Sequence, residues 1–327
     1  MRANQPTCHC EKPSARRSNP SHSEISRFAR NDRSENLEGR RHTRVIQIVT
    51  DSSAHLSVDE RQKHNIAVIP LKAIFGTTTY RDGVDLTNAQ FYQMLPHAKE
   101  HPTTSQPSAG EFEQVYRPFL DAGKEIVSLH LPSKLSGTYA SACAAKQELE
   151  TQFKKALPIS IVDTPWISMA LGLLVIAAAQ AAQAGQSRDQ VVATINALIP
   201  KLNLIFVLDT LEYLRRGGRI GGARAMVGTL LNVKPMLEIK HGQVEPLEQP
   251  RSRAKALARL LEVLAERSNH HPLHAAVLHA NARQDADELA NRVRAQYECK
   301  EFFCAEIGPA IGVHTGPNAL GLAFYTD

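Results

Sequence analysis

The chain reads as an α/β protein of two domains: an N-terminal domain with a mostly parallel sheet over residues 45–163, and a C-terminal domain with a mixed sheet over 164–327. Three features predict this. Short Val/Ile/Leu-rich runs alternate with helical segments up to Asp163, the signature of buried parallel strands. A glycine turn at His241-Gly242 then separates two extended runs, which requires antiparallel pairing. Composition, at 43% hydrophobic and 22% charged over 327 residues, supplies enough apolar surface for two cores.

In chain order, strands are expected at Val45 to Val49, Ile66 to Pro70, Glu125 to Leu131 and Pro158 to Val162. Ser108-Ala-Gly-Glu111 is a capping box that opens a helix to about Ala122, and a second helix runs from Ser136 or Gly137 through Glu150. The boundary falls near Asp163 to Pro165. After it come an alanine-rich helix within Trp166 to Ala184, a helix opened by Ser187-Arg-Asp-Gln190 and a strand at Leu204 to Leu208. The hairpin, a helix from Ser252 to about Arg267, and a strand at His274 to His279 follow. A helix at Gln284 to Gln296 and strands at Glu301 to Ile307 and Leu320 to Tyr325 complete the order, with helices on one side of the sheet.

Charge is unevenly placed. Residues 1–44 hold ten Lys or Arg and five Asp or Glu, the whole of the formal +5, which leaves 28 side chains of each sign for the rest. That tail is poor in apolar residues and reads as disordered, neither a secretory signal nor a transit peptide. With the basic balance confined there, nucleic-acid binding is not expected of the folded part. Cys8, Cys10, Cys143, Cys299 and Cys304 form no metal-ligand pattern, and an odd count fits reduced thiols in the cytoplasm. The alanine-rich segment is broken by Gln180 and Gln183 and falls short of the roughly 20 strongly apolar residues of a membrane span. It reads as a buried helix, without membrane insertion.

Four loops place small hydroxyl residues, glycine and proline where α/β folds hold ligands: Thr50-Asp51-Ser52, Thr103 to Ser108, Leu135-Ser136-Gly137-Thr138 and His314-Thr315-Gly316-Pro317. Singly, each hydroxyl could be a helix cap. Together they suggest an anion site: Ser136 lies at a predicted helix N-terminus with free N–H groups, Thr104 and His314 add donors, and Gly137 and Gly316 permit close backbone approach. A carboxylate suits such a site. Ser136, His314 and Asp51 can alternatively be drawn as a hydrolase triad acting on acyl esters, although no Gly-x-Ser-x-Gly elbow surrounds Ser136. Gly217 to Gly222 has phosphate-loop glycines, but Ala223-Arg224 stand where Lys and Ser or Thr are needed.

These motifs, with Leu214-Arg-Arg-Gly-Gly-Arg-Ile220 and Gly228 to Pro235, occur in the order and approximate spacing of the DegV family, which residues 45–327 resemble. The resemblance implies a fatty acid in a tunnel between the two domains. Its carboxylate would be held by Thr104 and Ser136, with Gly137 and His314 close by and Ser105, Thr138 and Gly316 in the same site. It implies no cofactor, metal or catalytic residue, and a carrier that presents the acid to a separate fatty acid kinase, with Arg219 and Arg251 at the partner or phosphate contact. Two departures stand out: Asn318-Ala319 after Gly316-Pro317, and Gly221-Gly222 where a serine usually follows Ile220.

Overall fold

A computed structural model describes residues 45–226 and 233–327; the tail and most of the Gly228 to Pro235 segment lie outside the described residues. The first strands are β1 (Ile46–Asp51) and β2 (Ile66–Ile69). Then come β3 (Lys72–Phe75), β4 (Thr78–Arg81), β5 (Thr103–Ser105), β6 (Glu125–His130) and β7 (Ile159–Asp163). Strands β2, β1, β6 and β7 form, in that order, an all-parallel sheet. Its central strands, β1 and β6, are buried on both faces, as near-continuous apolar runs demand. Ile48 of β1 joins one core and its neighbour Val49 another.

The Val49 side is covered by α3 (Ala109–Asp121) and α4 (Thr138–Phe153), which contribute Phe112, Tyr116, Ala145 and Leu149. The capping box at Ser108 and Glu111 is present as expected. The sequence reading missed the antiparallel sheet β4-β3-β5 and the short helices α1 (Val58–Lys63) and α2 (Asn88–Met94). Strands of three or four residues, two of them rich in threonine, are too short to carry a readable pattern.

The other face of the parallel sheet meets α5 (Ser168–Gln183) and α6 (Arg188–Leu198), in one core cluster. Beyond them lies the mixed sheet. It comprises β8 (Asn203–Val207), β9 (Met236–Lys240), β10 (Gln243–Glu248), β11 (Leu273–His279), β12 (Cys299–Glu306) and β13 (Leu320–Thr326). Its order is β10-β9-β8-β13-β11-β12, with β11 and β12 parallel and the remaining pairs antiparallel.

Helices on a single side were expected of this sheet, but both faces are covered. Ala275 and Val277 pack toward α8 (Arg253–Ser268) and α9 (Arg283–Gln296), whereas Ala276 and Leu278 face the α5 core. Helix α5 is therefore crowded all round, which explains its alanine content: small side chains allow close approach on every side. None of the helices is long and apolar enough to cross a membrane among the described residues. Two short helices complete the fold, α7 (Glu212–Arg216) and α10 (Pro309–Thr315).

Candidate functional site

Helix α10 packs against α7, α2 and strands β3 and β5, and carries the histidine motif. The sequence reading took this motif for a loop, but His314 lies in the last turn of α10 and Gly316 caps it with φ 70° and ψ −179°. That backbone region is essentially reserved for glycine. Gly312, one turn earlier, is required because a Cβ there would stand 2.5 Å from the Phe91 ring.

His314 Nε2 lies 3.0 Å from Thr104 Oγ1 on β5. Its Nδ1 is buried without a hydrogen-bond partner and faces Gly217, where any side chain would collide with it. Burial, with Arg219 and His101 adding like charge, pushes the His314 pKa down to about 3, so the imidazole is neutral at neutral pH. The Tyr213 ring covers Gly316 so closely that a Cβ there would reach 2.3 Å from it. In this way α7 is packed onto the end of α10.

Thr104, Ser105, Ser136, Arg219 and His314 line one cavity of about 60 Å³. Leu71, Leu131, Phe206, Leu214 and Ile311 supply its apolar wall. Gly137 and Thr138 stand just outside it. Gly137 is the N-cap of α4, which has no side-chain cap bond, and its Cα is covered by Gln106. The buried Thr138 hydroxyl lies 2.9 Å from Ser136 Oγ. Thr104, Ser105, Ser136 and His314 thus line an apolar space beside the uncapped start of α4, where partial positive charge favours an anion.

Arg219 joins this cavity to an outer pocket that also holds Ser136 and Gly137. Its guanidinium donates to the carbonyls of Leu135, at 3.1 Å, and Gly217, at 2.8 Å. Arg251 is not brought into this group; it is exposed on the turn between β10 and α8. Tyr213, Phe206 and Ile311 were missed from sequence, where apolar or aromatic residues inside strands and helices read simply as core.

Asp51 belongs elsewhere. Its Oδ2 accepts from Leu131 N at 3.1 Å and His130 Nδ1 at 3.0 Å, and Oδ1 accepts from Ser53. The chain continues from His130 Nε2 to Ser128 Oγ at 2.7 Å and on to the Tyr116 hydroxyl at 2.8 Å. Asp51 is therefore committed to His130 and leaves His314 without the carboxylate a triad needs.

The DegV family model matches residues 45–327, described as "Uncharacterised protein, DegV family". The chain belongs to the DegV family. Curated relatives include a DegV domain-containing protein of Streptomyces coelicolor, 39% identical over 86% of this chain and 98% of its own length. Protein DegV of Bacillus subtilis is 34% identical over 85% and 98%. A solved DegV family structure from Thermus thermophilus, described by its fatty acid binding, superposes with TM-score 0.81 at 34% identity, covering 86% of this chain and 99% of that one. The Bacillus subtilis structure, called a fatty acid binding protein, gives 0.78 at 33%, covering 87% and 100%. One from Eubacterium ventriosum, called a stearic acid-binding protein, gives 0.79 at 28%, covering 86% and 98%. The α/β architecture with its parallel and mixed sheets is thus that of the DegV family.

Proposed function

We propose that this DegV family protein binds a long-chain fatty acid, with the carboxylate held at Thr104, Ser136 and His314 and the acyl tail buried among apolar side chains of the two domains, divided near residues 163 to 165. The observation that carries this reading is the convergence of Thr104, Ser136, Arg219 and the neutral His314 on the lining of one largely apolar cavity. The fatty acid binding stated for three related structures, one of them with stearic acid, supports it.

Tail and head group divide the work. At roughly 0.8 kcal/mol per buried CH₂, a sixteen-carbon acid gains on the order of 11 kcal/mol, before the several kcal/mol that association costs. The hydroxyls fix orientation and select an acid over a neutral lipid. At about 60 Å³ the cavity is too small for such a tail, so loading requires its apolar wall to move outward.

Family resemblance extends the proposal to a non-enzymatic, cytoplasmic carrier, without cofactor or metal, that hands its ligand to a separate fatty acid kinase, with Arg219 and Arg251 at the contact. The hydrolase reading of Ser136 is disfavoured by the commitment of Asp51 to His130. Native mass spectrometry of purified protein, followed by lipid extraction, tests the central statement. One fatty acid per chain is expected, much reduced in a Thr104→Ala/Ser136→Ala double variant. Protein that is empty and fails to take up palmitate or oleate overturns it.

A further inference from the structure

The cavity must widen to take an acyl tail, and one part of its wall is built to move. Gln243 and Val244 stand side by side on β10, the outermost strand of the mixed sheet. Val244 lines the inner cavity and Gln243 the outer pocket of about 440 Å³, so β10 is the partition between them. Strand β9 pairs with β8 through Met236, Leu237 and Glu238, and among the described residues that register goes no further. From Ile239 to Val244 the hairpin therefore projects past β8 as a ribbon of two strands, which has little stability of its own. At its base the pairing slips between Pro246 and Glu248, where the proline has no N–H to give.

The projecting end is fastened at two places. Its turn, with His241 at φ 51° and Gly242 at φ 74°, rests on the N-terminal domain. Lys134 Nζ donates to His241 O at 3.0 Å in an exposed bond, and a Cβ on Gly242 would stand 3.1 Å from Pro132 Cβ. Behind β10 lies the 3₁₀ turn Gly221–Met226. A Cβ on Gly221, itself at φ 51°, would come 2.4 Å from Val244 O, a backbone atom that gives way only if β10 moves. A Cβ on Gly222 would instead meet the Glu245 carboxylate, the far end of a side chain that can swing aside. Position 221 is where the family usually carries serine, so this chain seats β10 closer than a serine would allow.

We propose that the hairpin segment Ile239 to Val244 is a strap over the fatty acid cavity. Seated on Gly221 and tied to Lys134, it closes the cavity; lifted, it joins the cavity to the outer pocket, and an acyl tail passes under β10. This deepens the fatty acid reading and rests on it. Other walls are held from more sides: Phe206 sits on β8 between β9 and β13, and Ile311 on α10, which packs against α7, α2, β3 and β5. A strap closes over the cavity whether or not ligand is inside. Loosening it therefore raises loading and release rates together and leaves Kd nearly unchanged, because the ligand itself does not distinguish the seated strap from the loosened one.

The probe is cis-parinaric acid, whose fluorescence reports loading, with release into an albumin trap, both followed by stopped flow. Lys134→Ala should raise both rates roughly three- to tenfold, the worth of one exposed hydrogen bond. Gly221→Ser should raise them about tenfold or more, as an overpacked contact does. Gly222→Ser, where a side chain gives way, should exchange at the wild-type rate. Pro132→Cys/Gly242→Cys puts two sulfurs on Cβ positions 3.1 Å apart, a few tenths short of the roughly 3.5 Å at which disulfides begin. Oxidised, it should stop exchange, and dithiothreitol should restore it while leaving wild type unaffected. The strap is wrong if Lys134→Ala keeps the wild-type rates, if Gly222→Ser is as fast as Gly221→Ser, or if the oxidised double variant exchanges as fast as the reduced one. Faster release with unchanged loading also overturns it, since that is a lost ligand contact. Should wild type bind neither this probe nor palmitate, it is the fatty acid reading that fails. Hydrogen exchange of residues 239–244 then judges the strap alone: faster exchange in Lys134→Ala than in wild type supports it, and equal exchange overturns it.

Discussion

Two clusters of hydroxyls, histidine and charge lie within this fold, built from the same residue types and put to opposite ends. In the first, Tyr116, Ser128, His130 and Asp51 pass hydrogen bonds in one direction, and all four are fully buried. In the second, His314 has one nitrogen on Thr104 and the other unpartnered, and the group opens on a cavity. The difference teaches that a Ser–His–Asp set identifies neither catalysis nor binding by composition. A satisfied, sealed network serves the fold, and an incompletely satisfied one beside a cavity has capacity left for a ligand.

Asp51→Ala breaks the sealed cluster and has the largest effect expected. It leaves Leu131 N and His130 without their acceptor in a dry core, at a cost of about 1 to 3 kcal/mol for each donor left unsatisfied. Urea denaturation measures it. A loss below about 1 kcal/mol would place Asp51 in a site tolerant of rearrangement and dissolve the contrast between the clusters.

Gly316→Ala attacks the open cluster through its frame. The backbone region costs a non-glycine residue on the order of 1 to 3 kcal/mol, and the added methyl group meets the Tyr213 ring. Pairing it with Tyr213→Ala should recover the steric part and leave the strain, which a double-mutant cycle by thermal unfolding separates.

The third prediction concerns pH. His130 faces a carboxylate, whereas His314 faces Arg219 and His101 and stays neutral down to about pH 3. A folded-state pKa below the unfolded value contributes stability that is present above about pH 6.5 and lost as pH falls. Between pH 6.5 and 5 the loss from His314 is about 2 kcal/mol, at 1.36 kcal/mol per pH unit. His314→Gln should remove that slope from the unfolding free energy. An unchanged slope would assign the acid sensitivity to His55, whose burial lowers its pKa to about 4.

Much of this was legible in the sequence, and what was not has physical reasons. The Val/Ile/Leu runs, the capping boxes at Ser108 and Ser187 and the His241-Gly242 hairpin each carry their signal locally, and each element forms where it was expected. Thr104, Ser105, Ser136, Arg219 and His314 were picked from separate loops and meet at one cavity. Helix α10 was not legible because its cap is borrowed: Asp82 and His55 hold its start from far away in sequence, so the segment itself shows only Gly308-Pro309 and an internal glycine. The two-sided cover of the mixed sheet was hidden for a related reason. Helix α5 packs against both the parallel and the mixed sheet, and a helix apolar on all faces has no periodicity to say which of them it meets.

The smallest effect is expected for Ser136→Ala alone. Ser136 Oγ already lies 2.9 Å from the Thr138 hydroxyl and accepts weakly from Thr138 N at 3.4 Å, so one of its functions is to order the uncapped start of α4. The other is the hydrogen bond it is proposed to give a carboxylate. A bond to a charged acceptor is worth about 1.5 to 3 kcal/mol gross, and the Thr104 hydroxyl and the α4 N–H groups remain to take up part of the load. Fatty acid affinity should therefore fall roughly tenfold while thermal stability changes by less than about 1 kcal/mol, the usual worth of a lost cap. Titration calorimetry with palmitate and with its methyl ester distinguishes the two functions. If the variant weakens acid and ester equally, Ser136 acts only by ordering α4. If the acid alone is weakened, the hydroxyl contacts the charge, and the open cluster is the carboxylate site that its unfilled hydrogen bonds imply.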